Sequence, residues 1–180
     1  MPKPKEVILG VTGSIAAYKA CEIINQLKRR KINVTVVMTK EAQEFITPLT
    51  LQTLSENRVI CDLFSLPENV SPLHVSLAKR CDLVLIAPAS ANIIAKLACG
   101  TADDVLSCLC LSTRAPILIC PAMNENMFEH KITQENIARL KKTGYYFLGP
   151  VKGHLVCGDR GVGHLAKPED IVREALGLLR

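Results

Sequence analysis

Glu6-Val-Ile-Leu-Gly-Val-Thr-Gly-Ser14 begins as a β-rich apolar run, turns on glycine and leads directly into a helical pattern. From Ser14 to Lys31, Ile15, Ala16, Ala20, Ile23, Ile24 and Leu27 recur at helical spacing. Asn33 to Met38 then reads as a second strand, apolar on both faces. The alternation continues outward. Thr47 caps a helix that starts at Pro48. Leu83 to Ala87 is a central strand, and Ser90 to Cys99 and Asp103 to Leu111 are helices. Ile117 to Cys120 is a strand that stops at Pro121, and Thr133 to Thr143 is an amphipathic helix closed by Gly144. Tyr146 to Leu148 is a late strand, and Pro168 to Leu179 a terminal helix. Residues 65–73 and 149–167 read as loops. Short apolar strands alternating with helices predict an α/β fold: a single-domain, doubly wound parallel sheet over 1–180, Rossmann- or flavodoxin-like, with helices on both faces. In such sheets ligands bind beyond the carboxyl ends of the strands.

Composition agrees. Hydrophobic residues make up 48% of the 180 and charged residues 22%, which excludes a disordered chain. The net charge of +5 is scattered, and aromatics are 4%, so a nucleic-acid groove with stacking residues is not expected. No apolar run approaches 18 residues, so no membrane span is expected. A mean hydropathy of +0.21 is high for a monomer and points to a buried interface between copies. The start, Met1-Pro2-Lys3-Pro4-Lys5, carries no signal peptide, which predicts a cytoplasmic protein. The eight cysteines are accordingly expected to be free thiols, most of them in apolar or helical settings. There is no CxxC pair, and His130, His154 and His164 lack mutual ligand spacing, so no metal is expected.

Four strand ends carry candidate chemistry. Gly10-Val-Thr-Gly13-Ser14 offers backbone N–H groups at a helix start, suited to a phosphate, although Ser14 as a plain cap competes. Its spacing is not GxGxxG, and Met38-Thr39-Lys40 has no carboxylate for a ribose diol, so a single phosphate held by Gly13, Ser14 and Thr39 is favoured over a dinucleotide. Pro88-Ala-Ser-Ala-Asn92 combines small residues with polar ones, leaving room for a flat ligand; capping by Ser90 competes. In Pro121-Ala-Met-Asn-Glu-Asn-Met127, Asn124 can offer its amide to a carboxylate or cap a helix. Met123 and Met127 are expected to pack in the core. Cys157 lies among glycines in a long loop, which suits a thiol on a flap or a merely exposed residue. His74 opens a short helix after the other loop and is the residue type best placed to move protons near neutral pH.

Together these motifs resemble the homo-oligomeric flavin-containing Cys decarboxylase family. The pieces are Gly13-Ser14 through Lys19, His74, Pro88 to Asn92, Pro121-Ala-Met-Asn124-x-x-Met127 and Cys157-Gly-Asp-x-Gly-x-Gly163, in family order between Glu6 and Ile171. The chain departs from the family at Phe128, where Trp is common, Val156, where Ala is common, and His164, where Arg is common. The resemblance implies FMN bound by Gly13, Ser14, Ile15, Thr39, Pro88, Ala89, Ser90, Ala91, Asn92 and Ala122. It implies substrate contacts from Asn124 and Met127, with His74 and Cys157 catalytic. It also implies a homotrimer, or a dodecamer of trimers, and a functional link to a separate CTP-dependent ligase. The implied chemistry is coherent. A cysteine carboxylate has no electron sink until its CH₂–SH group is oxidised to a thioaldehyde. Loss of CO₂ then delocalises into the C=S group and gives an enethiol, which is finally reduced. The cofactor carries the redox chemistry, and the protein supplies position and protons. His74 is the implied base of the oxidative half, Asn124 the carboxylate holder and Cys157 the proton donor of the reductive half. Four alternatives share the fold: a peptide-cysteine decarboxylase, a flavin prenyltransferase, a phosphatase-inhibitory subunit and a flavodoxin-like electron carrier. The prenyltransferase lacks the His74 and Cys157 motifs, the inhibitory subunit carries acidic tails and the carrier an acidic surface. The peptide-cysteine enzyme would stop at the enethiol without needing Cys157.

Overall fold

The computed structural model describes residues 4–64, 72–154 and 160–179. Strand β1 (Glu6–Val11) is buried along its whole length and pairs with β2 (Asn33–Met38) on one side and β3 (Leu83–Ala89) on the other. With β4 (Ile117–Pro121) and β5 (Tyr146–Phe147), the order is β2-β1-β3-β4-β5, all parallel. Chain direction across the sheet therefore reverses between β1 and β3, and a crevice opens at their carboxyl ends.

Side-chain alternation along each strand sorts the core into two layers. Val7, Leu9 and Val11 of β1 join Val34, Val36, Leu83 and Leu85 on one face. Helix α1 (Ala20–Arg29) covers them with Ile23, Ile24 and Leu27, and α8 (Pro168–Leu178) with Ile171, Val172 and Ala175. Ile8, Val84, Ile86 and Ile119 point the other way. They meet α4 (Ala91–Cys99), α5 (Val105–Ser112), α3 (Leu73–Arg80) and α7 (Lys131–Lys142). Ile8 and Leu9 are fully buried, and truncating either to Ala would cost about 2–5 kcal/mol. Cys110 and Cys120 lie inside these layers, where burial pushes both thiols well up and keeps them inert. Cys99 is exposed instead, contrary to its expected packing role.

At the amino end of the sheet, Glu6 is buried yet satisfied. Thr35 Oγ1 donates to its Oε1 at 2.7 Å, Asn33 Nδ2 donates to its Oε2, and Arg80 stands 3.9 Å away. Arg80 also donates to Thr35 Oγ1 at 3.2 Å, and Asn57 Nδ2 to Asn33 Oδ1 at 2.9 Å.

Two expectations need correction. The pattern from Ser14 to Lys31 is not one helix: a 3-10 segment over Ile15–Lys19 precedes α1. The segment 149–167 is not all loop. Val151–His154 and Arg160–His164 form an antiparallel hairpin, β6 and β7. Its glycines and lack of apolar alternation hide it from a periodicity reading. The capping expectations hold. Thr47 caps α2 (Pro48–Ser55), and Ser90 caps α4 by accepting from Ile93 N–H at 3.4 Å. Among the described residues no helix is long and apolar enough to cross a membrane.

Candidate active site

The carboxyl ends of β1 and β3 are bolted together by a residue of the Gly10–Ser14 turn to which the motif gives no role of its own. Thr12, only 1% exposed, donates its hydroxyl to the Pro88 carbonyl at 2.7 Å and accepts from the Ser90 N–H at 2.9 Å. Its neighbour Gly13 is a glycine for steric reasons: a Cβ there would sit 2.6 Å from the Cβ of Glu41. Ser14 caps the following turn, accepting from Ala16 N–H at 3.4 Å. Next to this turn, Thr39 N–H donates to the Val11 carbonyl at 3.1 Å, while the buried Thr39 Oγ1 has no hydrogen-bond partner among the described residues. A buried hydroxyl without a protein partner keeps its donor and acceptor capacity for a water or a ligand.

The end of β4 supplies the opposite wall. Ala122 N–H donates to the Ala89 carbonyl at 3.0 Å, and Met123 N–H to the Gly163 carbonyl of β7 at 3.1 Å. Asn124 caps α6 (Glu125–Glu129) by accepting from Asn126 N–H at 2.9 Å through Oδ1. The two readings of Asn124 are therefore compatible. The cap uses the acceptor half of the amide, and a carboxylate needs the donor half.

Between these walls lies a mainly apolar cavity of about 470 Å³. Gly13, Ser14, Ile15, Ser90, Ala91, Ala122, Asn124 and Met127 all line it. Of the other residues implied for the cofactor, Thr39, Pro88, Ala89 and Asn92 do not line it. His74, half-buried on α3, does not line it either, and Cys157 falls outside the described residues. The core expectation for Met127 is overturned: it is 50% exposed at the cavity, because α6 is short and starts only at Glu125. Missed by sequence reasoning were Lys19, Tyr18, Phe45 and His164, which also line the cavity. Ile15, Tyr18 and Phe45 give its rim an exposed apolar surface, at 54%, 59% and 46% exposure.

An apolar cavity at the β1/β3 crevice, with a glycine turn on one wall and a small-residue turn on the other, suits a flat aromatic ring bearing one phosphate. The chain belongs to the Flavoprotein family, whose model matches residues 1–180. Within that family, it is 46% identical over 167 residues to "Coenzyme A biosynthesis bifunctional protein CoaBC" of Haemophilus influenzae, covering 93% of this chain and 42% of that protein. It is 45% identical over 172 residues to "Probable phosphopantothenoylcysteine decarboxylase" of Streptococcus mutans, covering 94% of this chain and 96% of that protein. The chain thus spans less than half the length of the CoaBC relative. A solved structure of a PPC decarboxylase mutant complexed with pantothenoylaminoethenethiol is similar with a TM-score of 0.86, 28% identity and 97% of each chain covered.

Proposed function

We propose that residues 1–180 form one domain that decarboxylates 4'-phosphopantothenoylcysteine to 4'-phosphopantetheine with FMN, as a phosphopantothenoylcysteine decarboxylase of coenzyme A biosynthesis. The observation that carries this reading is the meeting of the Gly13–Ser14 turn and the Asn124–Met127 segment on one cavity at the β1/β3 crevice. The names of the Haemophilus and Streptococcus relatives support it.

Gly13, Ser14, Ile15, Ser90, Ala91 and Ala122 would hold the cofactor, and the unpartnered Thr39 hydroxyl beside the turn is suited to its phosphate. Bound FMN supplies the two-electron oxidation of the substrate's CH₂–SH group and returns the electrons after CO₂ has left. Asn124 holds the substrate carboxylate through its amide N–H, and Met127 packs on the substrate. The apolar lining excludes water, which strengthens these polar contacts. His74 takes a proton in the oxidative half and Cys157 gives one in the reductive half.

The assembly proposed is a homotrimer, or a dodecamer of trimers, in which a neighbour completes each site. Two observations support it. The cavity rim exposes Ile15, Tyr18 and Phe45, and His74 does not line the cavity of its own chain. In the assembly, α3 of a neighbouring copy brings His74 to the cavity. The setting proposed is cytoplasmic, with a CTP-dependent phosphopantothenoylcysteine synthetase, fused or separate, providing the substrate. The test is direct. The purified protein should be yellow and should release CO₂ from phosphopantothenoylcysteine, giving the saturated thiol. A colourless protein, or one that acts only on peptides ending in cysteine, would overturn the reading.

A further inference from the structure

The hairpin β6–β7 is a two-stranded sheet, a unit that is marginal in water unless something else holds it. It nevertheless supplies Gly163 and His164 to the cavity wall, which Leu165, the residue after β7, continues. Among the described residues, hydrogen bonds from two positions tie it to the segment carrying Asn124. One is the Met123 N–H to Gly163 carbonyl bond at 3.1 Å. The other comes from Glu125, the first residue of α6, whose Oε1 accepts the N–H of Val162 in β7 at 2.7 Å. The fit there is tight: a Cβ on Gly161 would run into the Glu125 carboxylate. Glu125 falls on one of the two unspecified positions of the Pro121–Met127 motif, so that pattern gives it no role.

We propose that Glu125 is a positioning residue: its carboxylate seats β7 against the start of α6 and so sets the Gly163–Leu165 wall at a fixed distance from Asn124. A carboxylate accepting a backbone N–H makes a charge-assisted bond, roughly twice as strong as a neutral one. It acts on a hairpin that forms its own two-stranded sheet, separate from the main one. The substrate-binding consequence rests on the function proposed above; the seating of β7 does not.

The test uses the full chain, loaded with FMN and assembled, as wild type, Glu125→Ala and Glu125→Gln. Hydrogen exchange of the peptide covering residues 160–166 reads the seating without any turnover. We expect exchange there to quicken about tenfold in Glu125→Ala, the scale of one lost hydrogen bond. Flavin content should stay level. KM for phosphopantothenoylcysteine should rise about tenfold while kcat changes far less, because a misplaced wall weakens substrate binding. Glu125→Gln keeps an acceptor oxygen but not the charge, and should recover about half of both effects. Unchanged exchange in Glu125→Ala, or a Glu125→Gln variant no better than Glu125→Ala, would overturn the proposal. Wild-type protein without turnover would sink the functional reading alone, leaving the exchange result to decide the role of Glu125.

Discussion

Thr12 and Ser90 stand 78 residues apart in the chain, yet the Ser90 N–H donates to the Thr12 hydroxyl at 2.9 Å. That single hydroxyl also donates to the Pro88 carbonyl, so it locks the turn after β1 to the turn after β3. Thr12→Val keeps the shape and removes both bonds. It should destabilise by about 1–3 kcal/mol, the cost of leaving buried partners unsatisfied. For a chain of this size each kcal/mol lowers Tm by about 2–4 °C. The same change should weaken flavin retention on dilution, since two cavity walls lose their tie. A variant with wild-type Tm and full colour would mean that the bolt is dispensable.

His74→Asn keeps size and polarity but cannot act as a base. We expect retained flavin and a fall in turnover of about 10²–10⁴-fold. Mixing tests where His74 acts. If a site takes His74 from one copy and Cys157 from another, random assembly of equal amounts of His74→Asn and Cys157→Ser chains leaves about one quarter of sites with both wild-type groups. Turnover should then reappear in co-assembled protein. If both groups serve the same site from one chain, every site carries a lesion and no activity returns.

Cys157→Ser alone should separate the half-reactions. Serine is a far weaker acid than a thiol, and the proposed proton transfer follows CO₂ loss. The variant should release CO₂ about once per flavin under anaerobic conditions. Its visible absorbance should stay bleached, and a product two mass units lighter than normal should accumulate. Mass spectrometry with the visible spectrum checks this. Normal saturated product at the normal rate would make Cys157 a structural residue. Absence of CO₂ would place the thiol in an earlier step.

Asp104 gives a pH-dependent stability prediction. Burial acts to raise its pKa. That is outweighed by the Ser107 N–H donating at 2.8 Å and by Lys96 at 2.9 Å, which together hold the carboxyl below its ordinary value. A folded pKa below the unfolded one stabilises above the unfolded value and loses that gain as pH falls through the folded value. Asp104→Asn keeps the helix cap but not the charge. It should be less stable by about 1 kcal/mol at pH 7, the difference between a charged and a neutral hydrogen bond. The gap should begin to narrow near pH 4, where an ordinary carboxylate is about half protonated, and close as pH falls through the lower folded value. Urea midpoints across that pH range decide the matter.

Four of the five strands of the main sheet were legible because four to seven apolar residues between turn signals leave little else to be; β5 has only two residues. Ser90 and Thr47 announced their helices by residue type and position. What stayed hidden depended on distant partners. Thr12 looks like any turn threonine until Pro88 and Ser90 arrive, and Glu125 like a solvent-facing acid until β7 folds beside it. Met127 was misplaced because its spacing from Met123 suggested one helix face, whereas Met123 precedes the Asn124 cap. The position of His74 relative to the cavity was beyond a single-chain reading in any case, since the proposal assigns it to a neighbour.

The buried Glu6 network sits at the amino edge of the sheet, one strand length of six residues, or about 20 Å, from the cavity. Substitutions that far apart, with no shared partners, act additively. The chain therefore has a region where stability can be adjusted at a distance from the cavity. Substitutions at Asn33 and Asn57, which belong to that network but lie off α3, can retune it while the cavity end of the sheet is left intact.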